Sequence, residues 1–180
     1  MWLAAVARLA AVVRLAGVAC SAALAGCSGI QQLSVPVASY DSSSIFSPSG
    51  YTQTRIDDTH FKVGAIGTEA TPKARIEKIA RARAAEIGVE EKLKYFKVTR
   101  VEYGVSCGKA HAGYKSGTTP ASSRPTVTLD VVYAKEAADP AFVSSAEAFE
   151  ALKADIANEV VAPADKAVAI QETRAGCGPG

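Results

Sequence analysis

Cysteine and histidine are the side chains here best suited to forming bonds or binding metal, and they are few: Cys20, Cys27, Cys107 and Cys177, with His60 and His111. Cys107 and His111 stand in Cys-x3-His spacing. A zinc site needs three or four protein ligands, so Cys177 would have to supply a third, because His60 belongs to a different segment. The same pair would act as a Cys–His nucleophile only with a free thiol and a cleft. Gly104-Val105-Ser106-Cys107-Gly108-Lys109-Ala110 has the outline of a phosphate loop. It is one residue short between its glycines, and Ala110 stands where a metal-binding hydroxyl is required. Asp57, Asp58 and His60 cluster beside an expected turn, where acids commonly serve turn geometry. Glu77, Glu86, Glu90 and Glu91 fall on an expected helix with Lys and Arg at i±4 spacing, which accounts for them as surface pairs. No Gly-x-Ser-x-Gly elbow is present. The residues therefore give no catalytic set, no metal set and no cofactor motif, and the expectation is a protein that is not an enzyme.

The amino terminus carries different chemistry. Residues 1–26 hold Arg8 and Arg14 as their only charges, then an apolar stretch and a small-residue end. That pattern is an export signal. A permanent membrane span needs about 20 apolar residues, whereas the uncharged run from Leu15 to Gly26 has 12. Leu24-Ala25-Gly26-Cys27 resembles the lipobox of bacterial lipoproteins: a branched apolar residue and two small ones before a cysteine. The resemblance implies a thioether-linked diacylglycerol on Cys27, cleavage between Gly26 and Cys27, and a third acyl chain on the new amino terminus. The step needs a thiol, whose sulfur is far more nucleophilic than a hydroxyl. Two or more acyl chains give stable attachment to a lipid bilayer. Cys20 fits less well, since Gly17 sits where the branched residue belongs. The rival reading is an ordinary secretory signal with a buried structural cysteine after it. Ser28 follows Cys27 where this class uses aspartate for inner-membrane retention, so the expected destination is the periplasmic side of the outer membrane.

Such processing would change the composition. Removing the first 26 of 180 residues leaves 154, and losing Arg8 and Arg14 from 20 basic residues leaves 18 against 18 acidic ones. A neutral chain without a clustered basic face is not expected to bind nucleic acid. An exported protein would also meet no ATP pool. With Cys20 removed and Cys27 lipidated, Cys107 and Cys177 remain. In an oxidising compartment paired thiols persist as disulfides, so a Cys107–Cys177 bridge is expected. Two free or functional thiols are the alternative, although neither cysteine has CxxC spacing.

Positioning these residues falls to a body of about 112 residues. Residues 27–50 are rich in serine and read as the lipidated cysteine and a Ser/Pro tether. The body spans 51–162. Short β-type runs at 51–56 and 60–66 flank Asp57-Asp58 and suggest a hairpin. Thr71-Pro72 opens a helix to about Lys92, with threonine as N-cap. Ile76, Ile79, Ala80, Ala84 and Ile87 form its apolar stripe, and Lys73, Arg75, Lys78, Arg81 and Arg83 its solvated face. A strand over 95–105 changes parity, with Phe96 and Val98 on one side and Val101, Tyr103 and Val105 on the other. A bulge near Thr99-Arg100 would restore one face. A loop at 106–124 precedes the clearest strand, 125–134, with Val127, Leu129, Val131 and Tyr133 inward. Ser144-Ser145-Ala146-Glu147 reads as a capping box. The helix it starts carries Phe149, Leu152, Ile156 and Val160, and Pro163 closes it. Residues 163–180 read as a Gly/Pro-rich tail, tied by the disulfide. The order predicts an α+β fold: a single antiparallel sheet of about four strands with two helices packed on one face.

Within this outline, residues 50–102 resemble a family of small envelope lipoproteins of Gram-negative bacteria that has no assigned activity. The resemblance rests on Gly50-Tyr51, Phe61-Lys62-Val63, Thr71-Pro72, Arg83-Ala84-Ala85-Glu86-Ile87 and Tyr95-Phe96-Lys97-Val98. The family tends to have glycine at the helix end, where Lys92 stands here, and Gly88 comes earlier, so the helix is expected to end sooner. The resemblance implies location and fold and brings no catalytic residue. The expectation is a membrane-anchored, non-enzymatic structural or interaction domain with an envelope protein as partner. The alternative is a small-molecule or metal-binding domain built on the 106–124 loop, since long loops in compact domains are often functional.

Overall fold

The computed structural model describes residues 35–44, 47–109, 111–113, 117–119 and 122–178. Leu24, Ala25, Gly26 and Cys27, with the rest of the expected signal peptide, lie outside the described residues. The folded unit spans Val35–Gly180.

The chain forms an α+β fold around one open antiparallel sheet. Its strands are β1 (Gly50–Arg55), β2 (His60–Ile66), β3 (Tyr95–Gly108), β6 (Ser122–Ala134) and β7 (Val143–Ser144), in spatial order β1-β2-β6-β3-β7. The sheet has five strands where about four were expected, because the two-residue β7 pairs with Tyr95 and Phe96. Two short strands, β4 (His111–Gly113) and β5 (Gly117–Thr119), pair with each other. The helices are α1 (Lys73–Glu90), α2 (Ser145–Asn158) and α3 (Pro163–Ala175), three where two were expected.

The central strand is β6, where strict alternation puts Val127, Leu129, Val131 and Tyr133 into the core, each 2 % exposed or less. Phe61, Val63 and Ala65 of β2 face the same interior. The register of β3 shifts between Val98 and Arg100. This is the expected bulge: Val98 lies opposite Val131, and beyond it Val101 and Tyr103 lie opposite Leu129 and Val127, on the same face. One extra residue thus repairs the parity change.

Helix α1 lies between the sheet and α2. Ile76, Ile79, Ala80, Ala84 and Ile87 are buried as the stripe requires, and so are Ala82 and Ala85 outside it. Alanines let the second layer approach closely. The solvated-face reading holds only in part, because Arg75 and Arg83 are 7 % and 8 % exposed. The N-cap is Pro72 rather than Thr71, and it makes no side-chain cap bond. The Thr71 hydroxyl instead accepts from the backbone N–H groups of Ala38 and Thr68, each at 3.0 Å. The helix does not stop early at Gly88. It ends in a Schellman motif: Leu93 N–H bonds Gly88 C=O at 2.8 Å and Lys92 N–H bonds Val89 C=O at 3.3 Å. Lys92 takes the left-handed position, φ 59°, which glycine fills most easily. Gly88 serves packing, since a Cβ there would lie 2.2 Å from Ser145 Oγ.

Ser144 caps α2 through Glu147 N–H at 3.4 Å, as the motif predicts. Phe149 and Leu152 are partly buried and Ile156 fully so. Val160 lies past the end of α2 and is 91 % exposed, so it belongs to no buried face. Pro163 opens α3 instead of closing α2, and the expected tail is a 13-residue helix burying Ala169, Ile170 and Thr173.

Candidate functional site

Cys107 and Cys177 are joined, with Cα atoms 5.7 Å apart across a sequence separation of 70. Cys107 is the penultimate residue of β3, and Cys177 follows α3 by two residues. The helix end approaches the strand closely, since a Cβ on Gly176 would lie 2.6 Å from Val105 Cγ2. The bridge consumes the thiol that either a Cys–His nucleophile or a Cys107 metal ligand would need. The described residues of the 106–124 segment are almost all strand. β3 runs to Gly108 opposite Ser122, and His111 faces Thr119 three residues farther along, in the same register. β4 and β5 form a two-stranded β-ribbon, and Gly104 to Gly108 are extended strand backbone.

At the β1–β2 turn, Asp57 accepts hydrogen bonds from the N–H groups of Thr59 (2.7 Å) and His60 (2.9 Å), and contacts the His60 ring at 2.7 Å. The Thr59 amide first, and then the imidazole, stabilise the carboxylate and lower its pKa to about 2. A carboxylate so held fixes the turn and is a poor proton carrier. Among the described residues no three His, Cys, Asp or Glu side chains converge to hold a metal ion.

The largest departure from the sequence reading is residues 35–50, expected as tether. From Val35 onward the described part is docked on the body. Ala38 is 1 % exposed, its C=O accepting from Arg75 Nε at 3.0 Å. Thr68 Oγ1 donates to Pro36 C=O at 2.6 Å. Ser43 N–H donates to Tyr51 C=O and Tyr51 N–H to Asp41 C=O, both at 2.8 Å. The Tyr40 ring stacks at 5.1 Å from Tyr51 and 6.3 Å from Phe149 of α2. Its hydroxyl donates to Glu86 at 2.7 Å. Burial, and then the bond to the Glu86 carboxylate, raise the Tyr40 pKa far above its ordinary value. Glu86 also pairs with Arg83, which is held by Glu90 and Gln53 and lies over the Tyr51 ring at 5.1 Å. Burial works against the Arg83 charge, but its hydrogen bonds to Glu90 and Glu86 outweigh this and raise its pKa.

Arg75 connects this arm to the α2–α3 connection. Its Nη1 donates to Ile156 C=O (3.2 Å) and to Glu159 (2.9 Å) while Nε holds Ala38. A shallow cleft beside it is lined by Pro72, Lys73, Ala74, Val160, Val161 and Val168. The signals for this assembly were an isolated tyrosine in a serine-rich run and two arginines at positions that the helix buries. The arrangement can hold an arm rigidly; it presents no nucleophile with a base. No helix of the described residues is long and apolar enough to cross a membrane. Comparison with protein-family models, with curated proteins and with solved structures finds no match to this chain.

Proposed function

We propose that the chain is a bacterial lipoprotein: exported, cut between Gly26 and Cys27, and held at the periplasmic side of the outer membrane by acyl chains on Cys27. Its folded part acts as a non-enzymatic structural or interaction domain of the cell envelope. The observation that carries this reading is Leu24-Ala25-Gly26-Cys27 behind a basic, then apolar, leader. The Cys107–Cys177 bridge supports it, because such bonds persist in oxidising compartments. The small-molecule or metal reading depended on a long open loop and an available thiol. The described residues of that segment are mostly strand and the thiol is bonded, so no observation favours that reading.

Labelled palmitate fed to a Gram-negative host expressing the full chain tests the anchor. The expected result is label on the wild type, a mature amino terminus at Cys27, and no label on Cys27→Ser. An unlabelled wild type would sink the reading. Crosslinking in intact cells tests the interaction half, which fails when no protein is recovered above the Cys27→Ser control.

A further inference from the structure

We propose that the pole of the domain formed by the start of α1 and the α2–α3 connection rests on the lipid surface, an inference built on the lipid-anchor reading. Two observations meet at this pole. The first is where the chain arrives from Cys27: Pro36 is bonded to Thr68 and Ala38 to Thr71 and Arg75, immediately before and inside the first turn of α1. The second is an uncovered apolar run. Residues 160–164 read Val-Val-Ala-Pro-Ala, with no polar side chain among them. Val160 is 91 % exposed, and Val168 of α3 beside it 54 %. Single exposed valines are ordinary on a protein surface. A contiguous apolar run bordering the anchored end has an occupant dictated by geometry.

The reach of the anchor decides which pole faces lipid. Eight residue steps separate Cys27 from Val35, at most about 29 Å whatever their conformation. A domain of this size has a radius of gyration of about 15 Å and a width of about 35–40 Å. The far pole cannot turn to the bilayer while Cys27 stays in it. Charge does not oppose contact either. Lys73 pairs with Glu172 at 3.2 Å, and Glu159 with Arg75 and Lys78 at 2.9 and 3.3 Å, so these groups bring few unpaired charges to the interface. Asp165 sits in the first turn of α3, where the helix dipole favours an acid.

Tryptophan fluorescence tests this directly. The sequence has one tryptophan, Trp2, which lies ahead of the proposed cleavage site, so the processed chain has no tryptophan emission of its own. Val160→Trp and Val89→Trp, made in the full lipidated protein, each place a single probe at an exposed valine. Val89 is 47 % exposed in the last turn of α1, about 24 Å along the helix from its start. The proteins are reconstituted in vesicles of phosphatidylethanolamine with a minor share of phosphatidylglycerol, the acyl chains brominated. The expected result is loss of most emission, with a blue shift in unbrominated vesicles, for Val160→Trp, and unchanged emission for Val89→Trp. Protein that floats with the vesicles yet is quenched at neither position, or equally at both, overturns the proposed pole and leaves the anchor standing. Protein that carries no lipid and does not float overturns both.

Discussion

The two ends of the folded unit are fixed to it by different chemistry. The incoming arm, residues 35–50, is held by many weak contacts: hydrogen bonds to backbone carbonyls from Arg75 and Thr68, a tyrosine stacked between Tyr51 and Phe149, and one buried alanine. The outgoing helix α3 buries little, namely Ala169, Ile170 and Thr173, and is held by one covalent bond and two ion pairs, Arg174 with Glu69 at 2.9 Å and Glu172 with Lys73 at 3.2 Å. An arm attached by distributed contacts comes off in stages, each costing little. A helix attached by one strong link is either on or off. Under the proposed lipid anchor, the difference suits an end that carries the anchor and one that must only stay folded.

The bridge is the sharpest place to break this contrast. Cys177→Ser is expected to lower stability by about 4 kcal/mol in the chain-entropy model, read as a lower denaturant midpoint. The loss should concentrate in hydrogen exchange of α3, with the arm unaffected; equal loss at both ends would erase the distinction. Next is Arg75→Ala, which leaves Ala38 and Ile156 carbonyls unpaired and takes one partner from Glu159. It is expected to cost about 3 kcal/mol and to expose the arm to limited proteolysis while α3 stays protected. Tyr40→Phe keeps the ring stack and removes only the bond to Glu86, an expected loss of about 1.5 kcal/mol. The smallest effect should come from acid. The hydrogen bond from Arg174 lowers the Glu69 pKa. A lowered folded-state pKa means stability that is present above the ordinary carboxylate value and lost as pH falls through the lowered one. α3 should therefore loosen as pH falls below the ordinary carboxylate range, seen as faster amide exchange, and Glu69→Gln should flatten that dependence.

Much of the sheet was legible because its residues obey simple rules. In β6, alternation placed four side chains inward, and in β3 a change of parity located the bulge. The Asp57 turn followed from acids that bond their own backbone. What escaped was structure made by contacts between distant residues. Serines dominate residues 28–50, and composition does not show that the carbonyls of Pro36 and Ala38 meet Thr68 and Arg75. Helix α3 was hidden by its glycine-rich end, although Pro163 at its start, Asp165 in its first turn and Arg174 in its last are helix signals. Lys92 marks the left-handed position where glycine was looked for; a lysine there costs about 1 kcal/mol of backbone strain without moving the helix end. The disulfide of the candidate site was readable from cysteine arithmetic. The exposed valine at the α2–α3 connection was not readable, because Val160 fits the helical spacing of α2 and only the helix end at Asn158 frees it.

The Cys107–Cys177 bond also determines what becomes of the molecule after damage. Everything from the β-ribbon through β6, α2 and α3 lies inside the ring it closes. A protease that cuts any one peptide bond between the two cysteines therefore releases no fragment: both pieces stay covalently joined, with β6 still paired to β2 and β3. Under the proposed lipid anchor, such a nick would leave the whole domain attached to Cys27 and in place.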